Sequence, residues 1–298
     1  MEVYNGWEWF ILSAIHPTKI RGDNMAETNK GDRVLPETRW VAGLVIPFLV
    51  VAFAILYFLP HSTARLFAWE IKSPMTAMML GSAYAGGIYY FSGLLLTHQW
   101  HRIKVGLIPV TVFASVLNVT TILHWDKFNH GTLPFFAWVS LYFTTPFIVF
   151  ALWLRNRGQD TDQPDRNDAV IPLTLRYVIG AVGMTTLVIA IFLFLNPELM
   201  IQLWPWTLTP LTSRVMAAMF SLPGMVGLGM AMDSRWSSAK IILQSQGFSI
   251  LLILIAVFRN RADFNWATAG SWLFTGGLAG MLAGIIVFYA YFNARQRE

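Results

Sequence analysis

Apolar residues gather into eight runs along the chain, separated by short segments rich in tryptophan, proline and charge. The runs cover 40–59, 74–96, 104–123, 134–154, 175–195, 210–232, 238–258 and 269–292. A bilayer core about 30 Å thick is crossed by about 20 apolar residues of α-helix, so each run predicts a spanning helix. The seventh run has the weakest pattern, because Gln244 and Gln246 interrupt it. The runs are too long, and their period-two alternation too weak, for the strands of an outer-membrane barrel. The pattern predicts an all-α integral membrane protein with eight transmembrane helices.

The polar segments carry a second regularity. Trp69-Glu-Ile-Lys-Ser-Pro-Met-Thr76 opens the second run, and Trp206-Thr-Leu-Thr-Pro-Leu-Thr212 opens the sixth. In each, a hydroxyl residue (Ser73, Thr209) is placed to cap a helix. A proline (Pro74, Pro210) follows at the first helical position, where a missing N–H is harmless. Matches continue on both sides: Arg39/Arg176, Gly43/Gly180, Pro60/Pro197 and Trp69/Trp206 lie 137 positions apart. Pro74/Pro210, Thr76/Thr212, Trp100/Trp236, Lys104/Lys240, Phe128/Phe264 and Asn129/Asn265 lie 136 apart. Duplication of a four-span unit accounts for the constant spacing. An even number of spans gives both copies one orientation, so the expectation is a tandem 4+4 parallel repeat and not an inverted one.

The predicted organisation is a cytoplasmic segment over 1–38, repeats over 39–155 and 173–298, and a polar acidic linker over 156–172. Within the first segment Trp7–Ile15 is apolar but too short to span. It reads either as an interfacial anchor or as sequence preceding a natural start at Met25. The linker carries Asp160, Asp162, Asp165 and Asp168, yet Pro164 occupies a ligand position of a calcium loop and the turn glycine and final glutamate are missing. A solvated linker is expected.

Composition sharpens this picture without changing it. Hydrophobic residues make up 55% of the chain and charged ones 12%, with mean hydropathy +0.52. The net charge of +5 comes mostly from loop lysines and arginines, as the excess of cytoplasmic Lys and Arg in membrane proteins requires, and calls for no nucleic acid. Beyond residue 24, thirteen lysines and arginines lie on the side of the two termini and six on the other. That asymmetry predicts a multi-pass protein of the inner membrane with cytoplasmic termini. Tryptophans cluster at run ends, where an aromatic belt places them. The absence of cysteine excludes disulfides and thiolate metal sites.

Candidate chemistry is sparse. No Asp or Glu falls within a run, so the carboxylate that commonly serves proton coupling is missing. Helix-breaking residues interrupt three spans near their middles: Gly86-Gly87, Thr144-Thr145-Pro146 and Pro223-Gly224. Interruptions at corresponding places in two halves point to a midplane site, whereas close helix packing is the alternative. Gly87, Thr144, Thr145, Pro146 and Pro223, with Trp69 and Trp206, form the candidate ligand-binding set; the tryptophans also read as interface anchors. Arg214, whose counterpart is Met78, completes it. Near a helix start it either holds an anion or lipid headgroup, or else snorkels outward or pairs with Glu198. Gly276, Gly280 and Gly284 form a small-residue stripe suited to a partner helix.

His61, His124 and His130 with Asp126, and His98 with His101, match no metal-ligand spacing, and none suits haem within a bilayer. No metal, cofactor or catalytic residue is expected. The segment Leu203-Trp-Pro-Trp-x-Leu-Thr-Pro-Leu-Thr-x-Arg214 resembles a recurring motif of uncharacterised bacterial multi-pass membrane proteins, a resemblance that implies only this architecture. Two functions fit: a transporter-like protein binding a small solute or lipid between the repeats, and a non-catalytic scaffold or accessory subunit of a membrane complex.

Overall fold

The computed structural model describes residues 31–164 and 167–296. Trp7–Ile15, Met25 and Asp165 lie outside the described residues. Those residues contain ten α-helices and no strand: α1 Pro36–Phe53, α2 Thr63–Leu66, α3 Pro74–Leu96, α4 Lys104–Leu123, α5 Leu133–Asn156, α6 Leu173–Leu195, α7 Pro197–Leu203, α8 Pro210–Met232, α9 Trp236–Arg259 and α10 Ala269–Arg295. A π-helical turn, Ala54–Phe58, extends α1. Despite its two glutamines, α9 runs unbroken, and Gln244 Nε2–H is satisfied by Tyr289 Oη at 2.8 Å.

Seven of these helices are long and apolar enough to cross a membrane, so the protein is membrane-embedded and all-helical. The long helix outside that set is α3, which carries Gly81, Ser82, Tyr84, Gly86, Gly87, Tyr89 and Tyr90. Its position explains its composition. It packs between α1 and α9, and most of its residues are buried. A helix shielded from lipid by its neighbours needs small and hydrogen-bonding surfaces more than apolar ones. By contrast α10 buries only Ser271 and Phe292, and α6 only Gly183 and Ala190.

Packing follows one scheme throughout. Helices α3, α4, α8 and α9 form the centre, with α3 against α9 and α4 against α8. The remaining long helices lie outside: α1 on α3, α6 on α8, α5 on α4 and α10 on α9. Both helix starts predicted at the tryptophan segments are present. Ser73 Oγ accepts the Thr76 N–H at 3.4 Å, and Thr209 with Thr212 forms a reciprocal capping box.

Corresponding positions make corresponding hydrogen bonds. Val34 N–H donates to His98 O and Ile171 N–H to Ser234 O. Trp100 N–H donates to Asp32 O and Trp236 N–H to Ala169 O, while Asn129 and Asn265 reach Ala68 and Pro205. Arg39 Nη2 and Arg176 Nε donate to Leu95 O and Ala231 O at 2.7 and 2.9 Å, supplying donors to carbonyls in the last turns of α3 and α8.

Two expectations need correction. Trp69, Trp100, Trp206 and Trp236 are not belt residues at a lipid interface; all four are buried. Trp69 sits among Phe67, Phe128 and Trp138, and Trp206 among Trp204, Phe264 and Phe274, with ring centroids 4.7–5.2 Å apart. Nor is the acidic linker simply solvated. Asp160 is buried, and Asp168 accepts the Ser237 backbone N–H and hydroxyl.

Candidate functional site

One end of the bundle carries the starts of α3 and α8. Their capped first turns face each other across an open cavity of about 310 Å³. It is lined by Lys72, Ser73, Thr76, Thr207, Thr209, Thr212 and Asp263, with Pro74 and the Trp206 ring, and its walls mix apolar surface with these polar groups. The two loops singled out by the tryptophan segments thus supply almost all of it. Trp206 ties them together, because its Nε1–H donates to Thr76 Oγ1 at 2.8 Å. The hydroxyls of Ser73, Thr76, Thr209 and Thr212 are engaged in the caps and in the Trp206 bond, so Lys72, Thr207 and Asp263 are the groups that would fix the orientation of a small solute with polar groups.

The interrupted middles of the helices do something else. None of Gly87, Thr144, Thr145, Pro146 and Pro223 lines that cavity. Pro146 lacks the N–H that would bond the Tyr142 carbonyl, and Asn118 Nδ2–H takes that acceptor at 3.0 Å. Thr144 is exposed and bonds back to Ser140 O, while Thr145 and Pro146 are buried. Gly86 O accepts from Ser245 Oγ at 2.7 Å, and a Cβ on Gly86 would meet Ser249 Oγ at 2.0 Å. Beside it, a Cβ on Gly87 would lie 3.0 Å from Leu49 Cδ1. Pro223 is half-buried in a helix that continues through it. Gly224, Gly227 and Gly183 bring α8 and α6 into backbone contact. Gly86, Gly87 and Gly224 thus serve close helix packing, and Gly86 and Pro146 internal hydrogen bonds between helices.

Arg214 does not form an ion pair with Glu198. Its Nη1 lies 2.7 Å from His124 Nε2, and its guanidinium stands over the Phe194 ring at 5.8 Å. Gly276, Gly280 and Gly284 are exposed, with no atom within 4 Å of the place a Cβ would take. Among the described residues no three His, Asp or Glu side chains are grouped to hold a metal ion.

At the opposite, basic end lies a cluster that the sequence reading missed. Arg235 donates two bonds to Asp160 at 2.9 and 3.0 Å and reaches Asp233 through Nε and Nη2 at 3.0 and 2.8 Å. Lys104 Nζ lies 2.5 Å from Asp160 Oδ2 and 2.8 Å from Asp233 Oδ2. Burial pushes both carboxyls up, but hydrogen bonds from Arg235 and Lys104 outweigh it. Asp160 falls well below the usual carboxylate range, and Asp233 to about 2. Two cations and two anions compensate each other, clamping the linker to α4 and to the α8–α9 turn. The only signal in the sequence was charge at Asp233 and Arg235 between two apolar runs.

Compared with known proteins, the chain matches no family model, no curated protein and no solved structure.

Proposed function

We propose that this chain is an eight-span membrane protein, built as a tandem 4+4 parallel repeat, that binds a small polar solute in the cavity between its two repeats. The observation that carries the reading is that cavity, bounded by the same capped loop from each half of the chain. The matched hydrogen bonds and the exchanged pairing of α3 with α9 and α4 with α8 support duplication. The lysine and arginine count supports an inner-membrane protein with its basic end in the cytoplasm, and so a cavity on the outer side. The reading is one of binding at that mouth.

A thermal-shift screen of purified protein against small polar solutes tests it, since a ligand that prefers the native state must raise its stability. A stabilising solute should lose its effect on the Lys72→Met/Thr207→Val double variant, in which neither change removes a helix cap. An undiminished shift would place the binding elsewhere.

A scaffold or accessory subunit remains the second reading, favoured by the bare glycine face of α10. Under that reading Gly280→Leu should shrink the complex isolated in mild detergent while leaving monomer stability unchanged. A complex of unchanged size counts against it.

A further inference from the structure

Where α4 and α9 end, each touches the start of the central helix it packs on, and the two contacts differ in charge. Asn260, just past α9, donates Nδ2–H to Met78 Sδ at 3.2 Å. His124, just past α4, faces Arg214 of α8 at 2.7 Å. Met78 and Arg214, like His124 and Asn260, stand 136 positions apart. The same place in the fold is therefore neutral once and cationic once.

The cation is left without a counter-ion. Among the described residues no carboxylate forms an ion pair with Arg214, and its Nε–H is buried without a hydrogen-bond partner. His124 does not compensate it: burial and the adjacent Arg214 hold the imidazole below its usual range, and it accepts as the neutral form. Asp126, the nearby acid, is exposed and paired with Lys127 at 2.7 Å. A half-buried guanidinium with one neutral acceptor is poorly compensated, and an anion with several oxygens relieves it through the N–H donors that His124 does not take. Beside the pair lie the Phe194 ring, under the guanidinium, and the exposed side chains of Ile122, Leu123 and Leu195, with the Asp126–Lys127 ion pair on the His124 side.

We propose that Arg214 and His124 form a binding site for a phosphate-type oxyanion, carried by a phospholipid headgroup or free in solution. Arg214 supplies the charge and the fork, and His124 orients it. The site stands apart from the mouth cavity, whose lining does not include Arg214.

The test uses the full chain, delipidated in detergent, with phosphatidylglycerol, a phosphate-free glycolipid and inorganic phosphate as separate probes. Retained lipid is read by native mass spectrometry and stability by melting temperature. The variant is R214M/H124N, which installs the Met–Asn contact already present at the matching place. Phosphatidylglycerol affinity should fall about tenfold or more in the variant, the loss of a charge-assisted contact, while the glycolipid is unaffected. Stabilisation by inorganic phosphate as well identifies a site open to free anion; stabilisation by phosphatidylglycerol alone identifies the headgroup. Equal phosphatidylglycerol and phosphate binding by wild type and variant, or none by wild type, overturns the proposal. If the double variant does not survive purification, Arg214→Gln is read on the same terms.

Discussion

Asn118 and Pro146 show how one residue makes another necessary. The proline removes a backbone donor inside α5, and the asparagine of α4 supplies it from outside. Asn118→Ala should lower stability by about 1–3 kcal/mol, the penalty for stranding a buried acceptor. Pro146→Ala restores the helical N–H, so in its presence the same asparagine substitution should cost much less. Melting temperatures of the two single variants and the double variant form the cycle; additive losses would show that the two residues act independently. Glycines divide as sharply. A Cβ on Gly183 would meet backbone atoms at 2.8–3.0 Å, whereas one on Gly280 meets nothing within 4 Å. Gly183→Ala should destabilise by about 1–3 kcal/mol, typical of forced overpacking, and Gly280→Ala should be silent. Nothing in the sequence separates these glycines, since both belong to apolar runs with small residues at helical spacing.

At the scale of elements, the basic-end cluster decides how the linker behaves. Asp233 has a carboxyl pKa depressed to about 2, so its stabilisation is present above the unfolded value of about 4 and disappears as pH falls through about 2. Melting temperature should therefore drop between pH 4 and pH 2, and Asp233→Asn should flatten that part of the profile. The variant should also lose about 3–5 kcal/mol at neutral pH, since it leaves part of the charge of Arg235 and Lys104 unmatched in a buried setting. An acid profile identical to wild type would show that the cluster does not govern the transition. Linker charge alone gave no hint of this, because a solvated acidic loop and a buried clamp have the same composition. The capped starts of α3 and α8 were legible for the opposite reason: a hydroxyl followed by proline acts within one turn, so the neighbouring residues suffice.

For the whole molecule, the exchanged pairing of α3 with α9 and α4 with α8 means that neither half of the chain buries its central helices alone. Expressed separately, residues 31–164 should fail to accumulate as a stable membrane protein, while co-expression with 167–298 should rescue it; stable accumulation of the first piece alone would contradict this. The absence of cysteine also makes the orientation easy to read, because a single introduced thiol has no background. In intact cells an impermeant thiol reagent should label Thr207→Cys, in an exposed loop at the mouth, and spare Gln163→Cys in the linker. The reverse pattern would invert the assignment.

Hydrophobic run length alone dictated a helical membrane protein, because a bilayer admits few ways to satisfy the backbone. Spacing alone predicted the matched loops, and local chemistry predicted their caps. Tertiary structure decided which tryptophans are buried, which helix is shielded from lipid, and that carbonyls in two of the interrupted helix middles find partners in Asn118 and Ser245. It also decided that the mouth between α3 and α8 stays open. The physical reason is that a hydrogen-bond partner or a contacting backbone more than a hundred residues away leaves no trace in local sequence, whereas the cost of crossing a bilayer is written into every run.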